Sequence, residues 1–193
     1  VGDIPSIANK ADWGLVLGAF KWTYALLSPF GGYIADRISR RHVIVASLFI
    51  WSAVTWATGH VATFHQLVAA RAVMGISEAF YIPAGLALIA DYHTGHTRSR
   101  AVGLHQMAIY CGVIAGGFGG YVADAPSLGW RSAFDACGVF GILYSVPLLL
   151  LLLGGARYAL VGGLAGDMIG DGLQLIGGVC LILLSASLVH MMT

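Results

Sequence analysis

Long apolar stretches separated by short polar breaks constrain the fold of this chain more than any other feature. Five of them approach the roughly 20 residues that a helix needs to cross a bilayer core of about 30 Å, and a sixth follows near the end. They run over residues 12–35, 43–61, 67–90, 101–123, 132–153 and 172–192. Only 10% of the residues are charged, too few to cover a globular surface in water. The sequence therefore predicts an all-α membrane protein with a bundle of about six transmembrane helices.

The polar breaks between these stretches predict which way the helices cross the membrane. One set of alternate breaks carries Arg37, Arg40, Arg41, Arg98, Arg100 and Arg157, whereas the other set carries only Lys10 and Arg131. The positive-inside rule makes the arginine-rich side cytoplasmic and places the N-terminus outside. We expect a multi-pass protein of the bacterial inner (cell) membrane, with the lipid bilayer as one partner.

Several other functional classes are not indicated by the sequence. The sequence contains no basic run with interleaved aromatic residues, which would predict nucleic-acid binding. It also contains no GxSxG or HExxH pattern, which would predict an enzyme. The three cysteines lie in apolar runs without a CxxC spacing, which favours packing over a disulfide or metal site. Asp91, His93 and His96 could offer three metal ligands, but they lie in a loop, and we expect neither a metal nor a cofactor.

The break at residues 31–42, GGYIADRISRRH, places one aspartate and three arginines directly after paired glycines. Gly31 and Gly32 would let a helix end approach its neighbour closely. Asp36 could accept hydrogen bonds from an arginine, and the arginines could bridge carboxylates on adjacent helix ends or anionic headgroups. These parts suit a conformational latch, but they equally suit a loop that only sets topology. The candidate latch residues are Gly32, Asp36, Arg37, Arg40 and Arg41.

The order Gly32-Tyr-Ile-Ala-Asp36-Arg37-Ile-Ser-Arg40-Arg41 resembles the loop signature G-x-x-x-D-R-x-G-R-R of the major facilitator superfamily, with Ser39 replacing the second glycine. Three further motifs resemble the family in the family's order. They are Arg71-Ala-Val-Met-Gly75-Ile-Ser-Glu78-Ala79, Ala90-Asp91 with Arg98-Ser-Arg100-Ala101, and Gly129-Trp130-Arg131-Ser-Ala-Phe134. Within the superfamily the chain looks most like spinster-type transporters, followed by anion:cation symporters.

The resemblance implies a domain organisation. Residues 1–153 would form an N-terminal helical bundle made of helices 2–6 of the family, without the first helix. Residues 154–193 would form a short linker and one helix that resembles the family's terminal helix. A complete member has two related halves with the site between them. A missing C-terminal half or a second copy of the chain is therefore an expected partner.

The resemblance also implies a function. The chain would be a secondary active transporter, or a fragment of one, that moves a small organic anion or lysolipid-like amphiphile by alternating access with proton or cation coupling. The loop around Asp36 would latch the cytoplasmic side against the opposite half. The alternative is a non-transporting half-size membrane protein or an assembly partner.

Charged residues at membrane depth are costly and usually line a cavity or pathway. Arg71 and Glu78 are seven residues apart, so they share one helix face about 10 Å apart along the axis. Glu78 is the best candidate for a proton or cation carrier, and Arg71 suits an anion because its planar fork matches carboxylate or phosphate. Lys21 and Tyr24 complete the candidate substrate or coupling-ion site. Arg71 and Glu78 could instead each satisfy a neighbouring helix, and Lys21 could instead extend its amine to the membrane surface.

Two further patterns predict packing. Gly112, Gly116 and Gly120 repeat every four residues, as at tight helix crossings. They resemble an antiporter motif but lack its proline, so we infer no antiport. Arg131 and Asp135 are four residues apart and predict a local ion pair.

Overall fold

The computed structural model describes residues 10–93, 95–117, 121 and 129–158, which form five long helices. These are α1 (Lys10–Arg37), α2 (Arg40–Gly59), α3 (Phe64–Tyr92), α4 (His96–Gly117) and α5 (Gly129–Tyr158). Each helix occupies one of the first five apolar stretches, so the predicted all-α class is confirmed. The predicted span at 172–192 lies outside the described residues.

Three of the described helices are long and apolar enough to cross a membrane by length and composition alone. They are α2, α3 and the part of α5 from Gly129 to Leu150. Helix α1, which contains Asp12, Lys21 and Asp36, is not among them. A charge at mid-helix, such as Lys21, therefore has to be explained by function or by packing.

Helix α3 occupies the centre of the described bundle. It packs against α1 on one side and α2 on another, and α2 packs in turn against α5. Helix α4 contacts α3 over only a short length. The main core forms where α2, α3 and α5 meet, and its buried members are Val45, Leu48, Trp51, Met74, Phe134 and Leu148.

Buried hydroxyl groups in α2 are satisfied within the helix itself. Ser52, Thr55 and Thr58 each donate to the carbonyl oxygen four residues earlier, at 2.8, 2.9 and 2.7 Å. This back-bonding removes the cost of burying a polar group in an apolar environment. Helix α2 can therefore bury small polar residues against its neighbours.

Two helices begin with well-defined local geometry at the same end of the bundle. Thr63 caps α3: its hydroxyl accepts from the Gln66 backbone at 3.3 Å, and the Gln66 side chain accepts from the Thr63 backbone at 3.2 Å. Gly129 begins α5 with a φ of +69°, which favours glycine. The glycine of the Gly-Trp-Arg motif thus has a backbone role.

Candidate functional site

Helices α1 and α3 approach closely enough for backbone contact at Gly75. A methyl group added there would overlap the carbonyl oxygen of Phe20 and the hydroxyl of Thr23. The Thr23 hydroxyl also lies 3.1 Å from the carbonyl oxygen of Ala72, which links the two helices. The arginine-bearing helix α3 is therefore held against α1 without room for adjustment.

A second close approach lies nearer the arginine-rich end of α1, and it involves Gly31 rather than Gly32. A methyl group at Gly31 would overlap the carbonyl oxygen of Ala79, whereas one at Gly32 would lie 3.9 Å from the Pro83 side chain. The latter is an ordinary contact. Of the two glycines singled out in the sequence, Gly31 therefore sets the helix spacing.

Arg71 lies inside the bundle, with only 6% of its surface exposed. Its Nη1 donates to the sulfur of Met74 at 3.6 Å, and its Nε has no hydrogen-bond partner among the described residues. A buried guanidinium normally needs a carboxylate and several acceptors, because removing it from water is costly. The described part of the chain supplies no such carboxylate to Arg71.

Glu78 follows Arg71 on the same helix and is half-buried. Within the described residues, no ion pair joins it to Arg71 or Lys21. Tyr81 lies one turn further on, and Tyr81 and Tyr144 of α5 both pack against the core cluster of α2, α3 and α5. Sequence reasoning missed both tyrosines. The spacing of Glu78 and Tyr81 on one helix face could have indicated Tyr81, but nothing local indicates Tyr144.

The two candidate residues on α1 have different environments. Tyr24 is half-buried and stacks on Phe20, with ring centroids 6.5 Å apart and planes within 10°. Phe20 packs in turn against the core cluster of α2, α3 and α5. Lys21 is exposed, and no hydrogen bond or ion pair is formed by its amine within the described residues. The structure thus holds Tyr24 in the packed bundle and leaves Lys21 open.

Arg40 joins the end of α1, the start of α2 and the end of α3. Its Nη2 donates to Asp36 Oδ1 at 2.9 Å, and its Nη1 donates to the Asp91 carboxylate and, at 3.3 Å, to the Ala87 carbonyl. Asp91 is thereby engaged by an arginine, which weakens the case for Asp91, His93 and His96 as metal ligands. The candidate latch residues Asp36 and Arg40 lie in direct contact.

The remaining latch arginines bind tyrosines. Arg41 donates to the hydroxyl of Tyr92, and the guanidinium of Arg37 lies 4.5 Å from the centre of the Tyr33 ring. An open pocket of about 330 Å³ lies within this network. It is lined by Ser39, Arg40, Arg41, Leu88, Asp91 and Tyr92.

At the opposite end of the bundle, the predicted pair of Arg131 and Asp135 does not form. Arg131 Nη1 instead donates to the carbonyl oxygens of Gly59 and Val61, at 2.6 and 3.1 Å. Asp135 Oδ1 lies 3.4 Å from Nδ1 of His60. The prediction was wrong because exposed backbone carbonyls at the end of α2 compete for the guanidinium.

The glycine stripe is only partly covered by the structure. Gly112 and Gly116 lie within α4, and Gly120 lies outside the described residues. Its role in a tight crossing stays a prediction.

The order of these motifs on successive helices matches a known family. A family model described as Major Facilitator Superfamily matches residues 6–166. The chain belongs to the Major Facilitator Superfamily. Because members of this superfamily are transporters, the prediction that the chain is not an enzyme is confirmed.

Curated relatives of this superfamily member include two bacterial resistance proteins. Quinolone resistance protein NorA of Staphylococcus aureus (strain N315) is 31% identical over 145 residues, 74% of this chain and 36% of the relative. Multidrug resistance protein 1 of Bacillus subtilis (strain 168) is 34% identical over 154 residues, 77% of this chain and 39% of the relative. The match thus spans less than two fifths of either relative. No solved structure matches the chain.

Proposed function

We propose that the chain is the N-terminal part of a secondary active transporter that works by alternating access. The observation that carries this proposal is a set of three charges within apolar helices that lack ion-pair partners among the described residues. They are Lys21, Arg71 and Glu78. Family membership and the resistance proteins among the relatives support the same conclusion.

Lys21 gives the strongest physical argument for a transport pathway. It lies midway along α1 and is exposed, so in a membrane its charge would face either lipid or a polar space. A charge facing lipid at the bilayer centre costs several kcal/mol, about 2.5–3.5 on the more lenient scale. We infer that this face of α1 lines a water-filled cavity between the described helices and the remainder of the transporter.

The proposed substrate is a small amphiphilic organic molecule that carries charge. Arg71 offers a guanidinium, Glu78 a carboxylate and Tyr24 an aromatic surface, so the site suits an amphiphile with an ionised group better than a small inorganic ion. The printed names of the relatives, quinolone and multidrug resistance, favour such molecules and favour export. The organic anion and lysolipid-like substrates belong to this wider class.

Coupling to a proton or cation is assigned to Glu78 in this proposal. A half-buried carboxylate without an ion-pair partner in the described part of the chain can bind a proton in one state and release it in another. Likeness to spinster-type transporters and symporters stays a prediction. So does the division into residues 1–153 and 154–193, although α5 continues to Tyr158.

Glu78→Gln is expected to uncouple transport from the proton gradient while leaving the fold intact. Glutamine keeps the shape of the side chain and cannot bind or release a proton, so an imposed proton gradient should no longer drive accumulation or export. Exchange of substrate across the membrane without a gradient should continue, because the site still binds. Uptake and counterflow of a quinolone in vesicles containing the full-length protein separate these two outcomes. Gradient-driven transport that survives the substitution would remove Glu78 from the coupling mechanism.

The water-filled cavity predicts that position 21 is accessible from water. In the full-length protein without its native cysteines, Lys21→Cys should react with a membrane-impermeant maleimide at least about ten times faster than Leu143→Cys. Leu143 is a matched control because it is also exposed, at 65%, on the apolar part of α5. Labelling rates in membrane vesicles make the comparison, and a quinolone should slow labelling at position 21 only.

Equal, slow labelling at both positions would place Lys21 against lipid and remove the main support for a pathway. Fast labelling that no amphiphile slows would favour the non-transporting alternative, a half-size protein or an assembly partner.

The contacts of Arg40 predict how the latch responds to Asp36→Asn. The mutation removes one of two carboxylates that hold Arg40, and Asp36 is 66% exposed, so stability should fall by less than about 1 kcal/mol. Because the latch is weakened by the same amount, the cytoplasmic end should open more often. Maleimide labelling of a cysteine at Ala84, which is buried beside the latch, should rise about two- to fivefold.

Asp12→Asn is the control for the latch, since it removes a carboxylate from the other end of α1. It should leave labelling at position 84 unchanged. If Asp36→Asn also leaves labelling unchanged, the loop only sets topology.

A further inference from the structure

The end of α2 opposite the latch is held by a permanent contact from α5. The last carbonyl groups of a helix lack donors within the helix. Arg131 supplies one, because its Nη1 donates to Gly59 at 2.6 Å and to Val61 at 3.1 Å, while its guanidinium lies 4.5 Å from the Trp130 ring centre. An arginine stays charged at every physiological pH, so this contact does not depend on protons.

His60 makes a second contact beside the first. Its Nδ1 lies 3.1 Å from the carbonyl oxygen of Trp56 and 3.4 Å from Oδ1 of Asp135, and its ring centroid lies 4.7 Å from that of Trp56. Both neighbours of Nδ1 are acceptors, so Nδ1 carries a proton whether the ring is neutral or charged. The second proton of the charged ring therefore binds at Nε2, on the other side of the ring.

Asp135 Oδ1 is enclosed at this junction. A methyl group added to Gly59 would come within 2.9 Å of it, and the oxygen has no hydrogen bond of good geometry within the described residues. A neutral His60 leaves this oxygen poorly compensated. A protonated His60 places a full positive charge beside it and satisfies it by charge attraction.

We propose that His60 and Asp135 form a proton-dependent clasp between the α2–α3 connection and α5. The clasp closes as the surrounding solution becomes acidic, because a protonated His60 attracts the Asp135 carboxylate. The arginine distribution predicts that this end lies on the non-cytoplasmic side. The clasp thus ties α2 to α5 more firmly when protons are abundant outside, and it does not require the proposed transport function.

The other charged groups at this end set the size of the effect. Arg131 opposes a second positive charge on His60, and Asp135 favours it. Among the described residues, the further titratable groups at this end of the bundle are Lys10 and Asp12 of α1 and His65 of α3. The side chains of His60 and Asp135 are 55% and 42% exposed, so solvent screens their attraction and the effect is modest.

Hydrogen exchange of the amides at residues 59–62, in the full-length protein, tests the clasp. After correction for intrinsic exchange rates, protection at about pH 5.5 should exceed that at about pH 8 by two- to fivefold. His60→Asn is the sharpest variant, because its amide can keep a donor near the Nδ1 position but cannot become charged. It should abolish the pH response, and Asp135→Asn should do the same.

Arg131→Lys is the matched control, since it should lower protection about equally at both pH values and keep the ratio between them. The proposal is overturned if the wild-type protein shows no pH response in this segment, or if His60→Asn or Asp135→Asn retains the response. Because hydrogen exchange is measured without substrate, a negative result would overturn the clasp without bearing on the proposed transport function.

Discussion

Replacing Gly75 with alanine is expected to destabilise the folded bundle by about 2–3 kcal/mol. The new methyl group would overlap the carbonyl oxygen of Phe20, which belongs to a helix backbone and cannot move alone. The two helices must separate, and the contact between the Thr23 hydroxyl and Ala72 is then lost. In detergent, the midpoint of thermal unfolding should fall by roughly 5 °C or more.

Gly85→Ala on the same helix is the control. A methyl group at Gly85 meets nothing within 4 Å among the described residues, and alanine favours a helix over glycine by about 1 kcal/mol. This variant should be as stable as the wild type or more stable. If both alanine variants behave alike, the α1–α3 contact does not set stability, and Gly75 acts only through backbone flexibility.

The helices themselves could be predicted from the sequence because a membrane allows few solutions. An apolar run of about 20 residues must satisfy its backbone internally, and a helix does so. The predicted stretch 43–61 corresponds to α2, which runs over Arg40–Gly59, and the stretch 67–90 corresponds to α3, which runs over Phe64–Tyr92. What sequence periodicity could not predict is which helices pack together. Consecutive α1 and α2 touch little, whereas α2 packs tightly on the distant α5.

In the candidate site, local contacts could be predicted from the sequence, whereas contacts between helices could not. The contact of Asp36 with Arg40 follows from their four-residue spacing, but the second partner, Asp91, comes from another helix 51 residues away. The same spacing rule failed for Arg131 and Asp135, because backbone carbonyls at the end of α2 took the arginine. Local spacing identifies candidate pairs, and only the tertiary contacts decide between competing acceptors.

Arg71→Met is expected to reduce substrate transport by at least about a hundredfold, which corresponds to roughly 3 kcal/mol of lost substrate contact. Methionine has a similar length, and within the described residues the guanidinium hydrogen-bonds only to the Met74 sulfur, so thermal stability should stay the same or rise. Arg71→Lys keeps the charge without the planar fork and should transport at an intermediate rate. Arg100→Met, at the exposed start of α4, controls for the loss of one positive charge.

The two readouts together decide what Arg71 does. If Arg71 is structural, Arg71→Met should lose thermal stability and transport together, because removing the guanidinium would leave a neighbouring group unsatisfied in the bundle. If Arg71 binds substrate, Arg71→Met should lose transport but keep its thermal stability. An unpaired buried charge is unfavourable until the substrate supplies its partner, so removing that charge does not destabilise the empty protein. Loss of stability in Arg71→Met with a matching loss in Arg71→Lys would therefore remove Arg71 from the proposed site and leave Glu78 and Lys21 to carry the transport hypothesis.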